Sequence, residues 1–444
     1  MTTSPAVAQQ RHEQRLPDAK PTYAPGEAVA EATRCLYCHD APCVTACPTG
    51  IDIPGFIRKI GTGNVRGSAR TILSANLLGY SCARVCPVEV LCVGACVYND
   101  WHRTPPIQIG RLQRYAVETV LVKDGGAALF TRAPRSGKRV ACVGAGPASL
   151  AAAGYLALEG VEVTLYEKRK LAGGLNTTGV APYKMHVEGS LLEVDFIRSL
   201  GVTLYQGVEV GKDVTPADLL SDHDAVFLGI GLGADASLGL PNETGPGVMG
   251  ATAWIEGMKL DPKFSLEGVR QAVVVGGGNT AIDAVRALAR LGVPTVSLAY
   301  RRTVAEMPGY RHELDLALRE GVRVIEAAIP KAFLRDSSGR LSALQLQNGQ
   351  ELPADLVVLA IGQARLRELA GAFPGVALDP RGLVVADPAS GQTGNPKVYV
   401  GGDALSGGEL VVTAAQEGKR AARAIARALG LKIRVDAPLN AGHP

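Results

Sequence analysis

The sequence predicts an α/β chain: a helical N-terminal domain followed by two Rossmann-like nucleotide-binding domains, the first of them discontinuous. Three observations carry this reading. Most of the nine cysteines are packed into residues 34–96, an arrangement foreign to an ordinary apolar core. A buried strand, a glycine turn and an alanine-rich helix follow one another from residue 139, and the same grammar returns at residue 271. Glycine is the compositional excess, at 53 of 444 residues, and it marks turns where backbone comes close to a ligand.

Composition narrows the class before any motif is weighed. With 47% hydrophobic and 20% charged residues the chain can bury several cores, and its length predicts about two to four domains. A net charge of +4 without a basic stripe, and only 5% aromatic residues, argue against nucleic acid as a partner. No apolar run approaches the roughly 18 residues of a membrane span, so no membrane segment is expected. The chain opens Met-Thr-Thr-Ser-Pro with no apolar leader, which with its thiols points to a cytoplasmic protein.

Residues 1–30 are polar, with Pro17, Pro21 and Pro25 interrupting any helix, and are expected to form an extended arm. The helical domain is expected over 31–130, with helices at 53–60, 67–76 and 112–122. Its cysteines read Cys35-x2-Cys38-x4-Cys43-x3-Cys47-Pro48 and Cys82-x3-Cys86-Pro87-x4-Cys92-x3-Cys96. Thiolates at such spacing, with prolines directly after ligands, suit two [4Fe-4S] clusters. Structural zinc would favour paired C-x2-C knuckles, and only Cys35 and Cys38 fit; a disulfide scaffold would be short and secreted. Spacing alone counts Cys82 among the ligands. Cys142, inside a buried strand, reads as structural.

A basic, proline-containing linker, 131–138, leads to the first glycine turn. Gly144 allows the tight turn, Gly146 lets backbone approach a pyrophosphate, and the helix opening at Pro147-Ala148 offers its positive N-terminus to that anion. Ser149 occupies the place of a third glycine and is small enough for close packing of helix on strand. The next strand ends in Glu167-Lys168, with Glu167 placed to hold a ribose hydroxyl, and Gly173-Gly174-Leu175 supplies a second close approach. Late in the chain, a strand ending at Gly362-Gln363 and the run Val398-Tyr-Val-Gly-Gly402-Asp403 add glycines and an aspartate suited to FAD. The FAD domain is therefore expected over 137–265 and 362–444.

The second turn, Gly276-Gly277-Gly278-Asn279-Thr280-Ala281, defines a nicotinamide domain over 266–361, since two dinucleotide sites in one chain imply two different dinucleotides. Its second strand ends in Arg301-Arg302 instead of an acid. Guanidinium there can pair with a 2'-phosphate, which leans toward NADPH; solvated arginines are the plain alternative.

These residues resemble a known family. Asp40-Ala-Pro-Cys43, Cys47-Pro-Thr-Gly-Ile-Asp-Ile, Leu78-Gly79, Cys86-Pro, Leu91-Cys92-Val-Gly94 and Pro106-Ile-Gln-Ile-Gly-Arg-Leu-Gln113 look like the N-terminal half of dihydropyrimidine dehydrogenase, which in bacteria is a separate subunit. The likeness continues through Gly144-Ala-Gly-Pro-Ala-Ser149, Glu167-Lys168, Gly173-Gly-Leu175 and Gly401-Gly-Asp403 and covers roughly residues 30–430. Glutamate synthase small subunits share this architecture and a similar cysteine pattern. The resemblance implies one cluster on Cys35, Cys38, Cys43 and Cys96, and another on Cys47, Cys86, Cys92 and the side-chain oxygen of Gln113, with Cys82 left out. It also implies a basic FAD contact at Lys184. Where the NADPH-using branch carries a further basic residue this chain has Met307-Pro308, so the coenzyme is NAD(P)H with NADH favoured. The implied activity passes electrons from NAD(P)H through FAD and the clusters to an FMN-containing catalytic subunit in a hetero-oligomer, where uracil or thymine is reduced. The other enzyme reading is a glutamate synthase small subunit or related oxidoreductase.

Overall fold

The computed structural model describes residues 11–101 and 105–433. Proline sets the early helix starts, because the N–H it lacks has no partner in a first turn anyway. It opens α1 (Pro25–Thr33) and α2 (Pro42–Thr45), and sits second in α3 (Ile53–Gly61), where Asp52 accepts the Gly55 N–H at 3.0 Å. Asn64 caps α4 (Val65–Ala75) in the same way through Gly67 at 2.8 Å. α5 (Gly79–Val85) and α6 (Ile109–Asp124) complete the helical unit, whose core holds Phe56, Ile57, Ile72, Leu73, Leu112 and Val117. The expected helices are present, but the arm departs from expectation. α1 begins inside it, and Arg11, Glu13 and Leu16 are buried, not extended into solvent.

The next unit is built on β1 (Arg139–Val143), α7 (Pro147–Leu158), β2 (Glu162–Glu167), α8 (Leu175–Thr178), α9 (Val187–Ser199), β3 (Thr203–Gln206), α10 (Pro216–Asp222) and β4 (Ala225–Leu228). The chain then crosses into β5 (Val248–Gly250), α11 (Ala251–Leu260), β6 (Gln271–Val275), α12 (Asn279–Arg290), β7 (Thr295–Ala299), α13 (Arg311–Arg319) and β8 (Arg323–Ile325). An antiparallel meander of β9 (Pro330–Arg335), β10 (Leu341–Leu346) and β11 (Glu351–Pro353) precedes β12 (Leu356–Leu359). α14 (Arg367–Gly371), β13 (Val398–Val400), α15 (Asp403–Ser406) and α16 (Val411–Ala428) follow.

Two five-stranded sheets result, ordered β13-β4-β1-β2-β3 and β5-β12-β6-β7-β8, and every neighbouring pair in both is parallel. Their central strands are buried along their length, Ala225-Val-Phe-Leu and Leu356-Val-Val-Leu in full, as helices on both faces require. Cys142 is fully buried in β1, and burial pushes its thiol far up, in keeping with a structural role. α16 lies against α7 so closely that a Cβ on Gly418 would meet the Ala148 carbonyl oxygen at 2.1 Å.

The boundary expected at residue 265 falls elsewhere. β5 pairs with β12 in the second sheet, Val248 opposite Val357, and Trp254, Ile255 and Met258 of α11 pack in that sheet's core. The outgoing and returning strands of chain instead run side by side further back, where Gly233 N–H donates to Ala364 O and Ala364 N–H to Ala234 O, both at 2.8 Å. Among the described residues no helix is long and apolar enough to cross a membrane.

Candidate functional site

The first glycine turn is shaped by contacts that exclude any side chain. Gly144 has φ +83°, and a Cβ there would meet the Gly229 carbonyl oxygen at 2.7 Å; one on Gly174 would meet Gly146 Cα at 2.8 Å. Gly146 itself has only Gly174 Cα near, at 3.9 Å, leaving its backbone open to the cleft beside it. Ser149 is fully buried, and its hydroxyl donates to Val143 O at 3.4 Å while Gly229 gives it room, so the missing third glycine has moved to the facing strand. Pro147 and Ala148 at the start of α7, with Gly174 and Leu175 opposite, line the same wall. Glu167 is 6% exposed; its carboxylate accepts N–H from Ala145 and from Arg169, each at 2.8 Å, and keeps lone pairs for a ribose hydroxyl. Lys168 stands exposed at the rim.

That cleft has a volume of about 960 Å³ and reaches all three units. Gly402 and Asp403 line it from the α15 end, where burial raises the Asp403 carboxyl and Gly402 N–H donates to Glu417 at 2.6 Å. Gln363 lines it too, donating to Gly233 O at 2.9 Å, whereas Gly362 lies outside with φ +105°. From the second turn, Asn279 and Thr280 at the head of α12 face the cleft, and Asn279 accepts the Tyr310 N–H at 3.0 Å. Gly276, with φ +148°, makes the turn against the Ala360 carbonyl oxygen, and nothing lies within 4 Å of a Cβ on Gly278. Ala281 belongs to the core: it is fully buried, and its N–H is taken by Gly278 O at 3.0 Å. Arg301 and Arg302 follow β7 as exposed residues, away from the cleft lining.

Lys184 also departs from a simple flavin contact. Its ammonium is held by Asp283 at 2.8 Å and Glu313 at 2.7 Å, and Tyr183 donates its hydroxyl to Asp283 at 2.8 Å. Burial works against the charge, but the two carboxylates outweigh it and hold the lysine above its ordinary range. The cluster therefore ties a loop of the first unit to α12 and α13 of the second, within the cleft.

The cysteines fall into two groups that cross the sequence order. Cys35, Cys38, Cys43 and Cys96 line one pocket, walled by Ile53, Ile57 and Ile107. Burial, with Cys35, Cys96 and Cys38 close by, pushes the Cys43 thiol up to about 12. In the other group Cys86 is hydrogen-bonded to Cys82 and neighboured by Cys92 and Cys47. Burial and Cys47 push Cys92 up to about 12. Thiols so crowded cannot ionise together unless a cationic centre neutralises them, so these residues fit iron–sulfur clusters. Cys82 accepts a hydrogen bond from Asn76 Nδ2 at 3.1 Å, and Gln113 donates through Nε2 to Gly79 O at 2.7 Å. Val85, Cys86 and Pro87 line the same cleft as the first glycine turn, bringing the second group to its edge.

Sequence reasoning missed several charged groups buried at these junctions. Lys259, fully buried on α11, donates to the carbonyls of Val180 at 3.0 Å and Met185 at 2.8 Å, and burial lowers it to about 8. Glu193 on α9 accepts the Tyr80 and Ser81 N–H groups at 3.0 and 3.2 Å, and burial raises it to about 7. The one sequence signal was phase: Lys259 follows Ile255 and Met258 on the apolar face of its helix.

Residues 12–124 match the family model described as dihydropyrimidine dehydrogenase domain II, 4Fe-4S cluster, and residues 138–418 match pyridine nucleotide-disulphide oxidoreductase. The chain is similar to the glutamate synthase [NADPH] small chain of Escherichia coli (strain K12), 34% identical over 91% of this chain and 92% of that one. It is 33% identical to the NAD-dependent dihydropyrimidine dehydrogenase subunit PreT of the same strain, over 92% of this chain and 96% of the relative. A longer protein of that strain, AegA, is 35% identical over 91% of this chain, which spans 66% of its length. Among solved structures, Mycobacterium tuberculosis FprA in complex with NADPH superposes with a TM-score of 0.52 at 20% identity, over 67% of this chain and 85% of that one, and so shares the fold. The chain belongs to the pyridine nucleotide-disulphide oxidoreductase family, in the branch with an N-terminal 4Fe-4S domain of the dihydropyrimidine dehydrogenase type, and is an NAD(P)H-dependent flavin and iron–sulfur oxidoreductase that uses FAD, [4Fe-4S] and NAD(P)H.

Proposed function

We propose that the chain is the electron-input subunit of a bacterial dihydropyrimidine dehydrogenase, delivering electrons from NAD(P)H to an FMN-containing partner that reduces uracil or thymine in the cytoplasm. The observation that carries this is the single cleft reaching from both glycine turns to Cys86. FAD bound there supplies conversion of a two-electron hydride into single electrons, which clusters require. The first sheet with α16 forms the FAD domain, the second sheet with β5 and α11 the nicotinamide domain, and 11–124 the cluster domain.

In this reading Gly144, Gly146 and Gly174 admit the FAD pyrophosphate to the N-terminus of α7, Glu167 takes the ribose, and Gly402-Asp403 bracket the chain beyond it. Thr280 and the N-terminus of α12 receive the nicotinamide dinucleotide. Lys184, pinned by Asp283 and Glu313, keeps the two domains in register, so that hydride transfer needs no side-chain acid or base. One cluster uses Cys35, Cys38, Cys43 and Cys96. The other uses Cys47, Cys86 and Cys92 with Gln113 Oε1, the acceptor end left over once Nε2 is engaged by Gly79. Cys82→Ser retaining both clusters supports that assignment, whereas loss of one overturns it. Met307-Pro308, where a further basic residue would meet a 2'-phosphate, supports NADH over NADPH.

The test is activity of the purified chain: NADH oxidation with artificial acceptors, no reduction of uracil alone, and uracil reduction once an FMN-bearing partner is added. Unaided uracil reduction sinks the subunit reading. The similarity to a glutamate synthase small chain supports a second reading, in which the copurifying partner is a glutamine amidotransferase.

A further inference from the structure

The segment from Arg11 to Pro21 touches every unit of the molecule. Glu13, fully buried and paired with Arg11 at 2.5 Å, accepts the Val187 N–H at 3.3 Å and so caps α9 of the first nucleotide unit. Leu16, 1% exposed, packs into the core of the second sheet. Ala19 N–H donates to Tyr183 O at 2.8 Å, next to the lysine in the cleft. Asp18 receives Arg84 of α5 at 2.9 Å and Arg114 of α6 at 2.6 Å, both guanidiniums being almost buried. Arg84 in turn donates through Nε to the Lys184 carbonyl at 2.8 Å. Lys20 reaches the Cys86 carbonyl at 3.5 Å and pairs with Glu89 at 3.3 Å.

We infer that this segment is a strap that fixes the gap between the flavin site and the cluster held by Cys86, with Asp18 as its positioning residue. The inference rests on the electron route proposed above. A polar arm has no packing reason to bury an acid and a leucine in two different nucleotide units while ion-pairing with the third. The effect of those anchors is to lock α5, which ends at Cys86, against the loop carrying Lys184. Arg84 is the hinge pin: without Asp18 it keeps only neutral partners, Tyr80 and the Lys184 carbonyl, so α5 stays held at its start by Glu193 on Tyr80 and Ser81 while its Cys86 end loosens at the cleft edge. Each NADH gives up two electrons and a hydride's proton; the two clusters take one electron each and the proton goes to solvent, so the step from flavin to cluster is the one the strap controls.

The test is rapid anaerobic mixing of the full chain, loaded with FAD and clusters, against NADH, following flavin bleaching optically and cluster reduction by freeze-quenched EPR. In Asp18→Asn, bleaching keeps its wild-type rate while cluster reduction slows severalfold, because electron transfer falls off steeply as the gap between flavin and cluster widens. Asp18→Glu restores most of the loss. Should Asp18→Asn lose iron, Leu16→Ala slackens the strap from its far end without touching the cysteine domain, and it slows the same step. Wild-type cluster reduction in whichever of these variants retains its iron and FAD overturns the inference. Clusters that stay oxidised in the wild type while its flavin bleaches overturn the electron route itself, and the strap with it.

Discussion

Four strands of each parallel sheet, β4-β1-β2-β3 and β12-β6-β7-β8, follow one order, yet their cofactor ends are finished in opposite ways. β2 ends in Glu167, nearly buried and fastened by two backbone N–H groups, while β7 runs out into exposed Arg301 and Arg302. In the first turn a Cβ on Gly174 would meet Gly146 Cα at 2.8 Å, whereas nothing lies within 4 Å of a Cβ on Gly278 in the second. On the proposed assignment, one fold would serve a resident nucleotide, where preorganised contacts keep dissociation slow, and an exchanging one, where contacts to a rigid wall are few. The comparison also explains the division of labour: a flavin must stay between turnovers, and a nicotinamide must leave.

Breaking the closed site gives the largest effect. Gly174→Val places a branched side chain at φ +56° with Gly146 Cα at 2.8 Å, so the protein should purify without flavin and without NADH oxidation. The matching change in the open site, Gly278→Ala, should keep full flavin content and alter only the KM for NADH. Equal flavin loss in both variants removes the distinction.

The first unit also carries a buried acid where it meets the helical unit. Glu193 is raised by burial to about 7 from 4.5, so the folded state binds the extra proton across that window. Its contribution is intact below pH 4.5 and is lost as pH rises through 7. Glu193→Gln removes the ionisation, so the variant should match the wild type near pH 4 and exceed it at pH 8 by on the order of 3 kcal/mol. Thermal melts of both proteins across that range check the sign; a variant less stable at pH 8 than at pH 4, relative to wild type, reverses it.

Glu167→Ala probes the fastening of the resident nucleotide. It strips a charged acceptor from Ala145 N–H and from the ribose, worth about 2 kcal/mol, so FAD should dissociate roughly 30-fold more readily. Flavin release on dilution measures this, and NADH affinity should not move.

Both nucleotide units were legible because their signals are local. A continuous apolar strand, a glycine forced to positive φ and a helix start are all set by neighbours in sequence, as at Val140-Ala-Cys-Val-Gly144 and Ala272-Val-Val-Val-Gly276. What escaped depends on contacts distant along the chain. Val248-Met-Gly250 is too short to show a period, and only its pairing with β12 assigns it to the second sheet. Lys184 reads as a basic residue near the first turn, but its charge is claimed by Asp283 and Glu313 from the other unit. Ala281 matched a spacing, while helical phase turned it into the core. The arm looked solvated because its composition is polar; three residues, Glu13, Leu16 and Asp18, decide otherwise, each through a partner in a different unit.

The smallest effect belongs to the open site. If Arg301 is a solvated side chain beyond the rim, Arg301→Ala changes the kcat/KM for NADH by less than about twofold, within the usual range for surface substitutions. A role in pairing a 2'-phosphate makes a different demand: charge-assisted bonds to phosphate are worth about 1.5–3 kcal/mol, so NADPH alone would lose on the order of tenfold or more. Measuring both coenzymes on both proteins separates these, because an effect on NADPH without one on NADH isolates the phosphate, and an equal effect on both points to the shape of the turn.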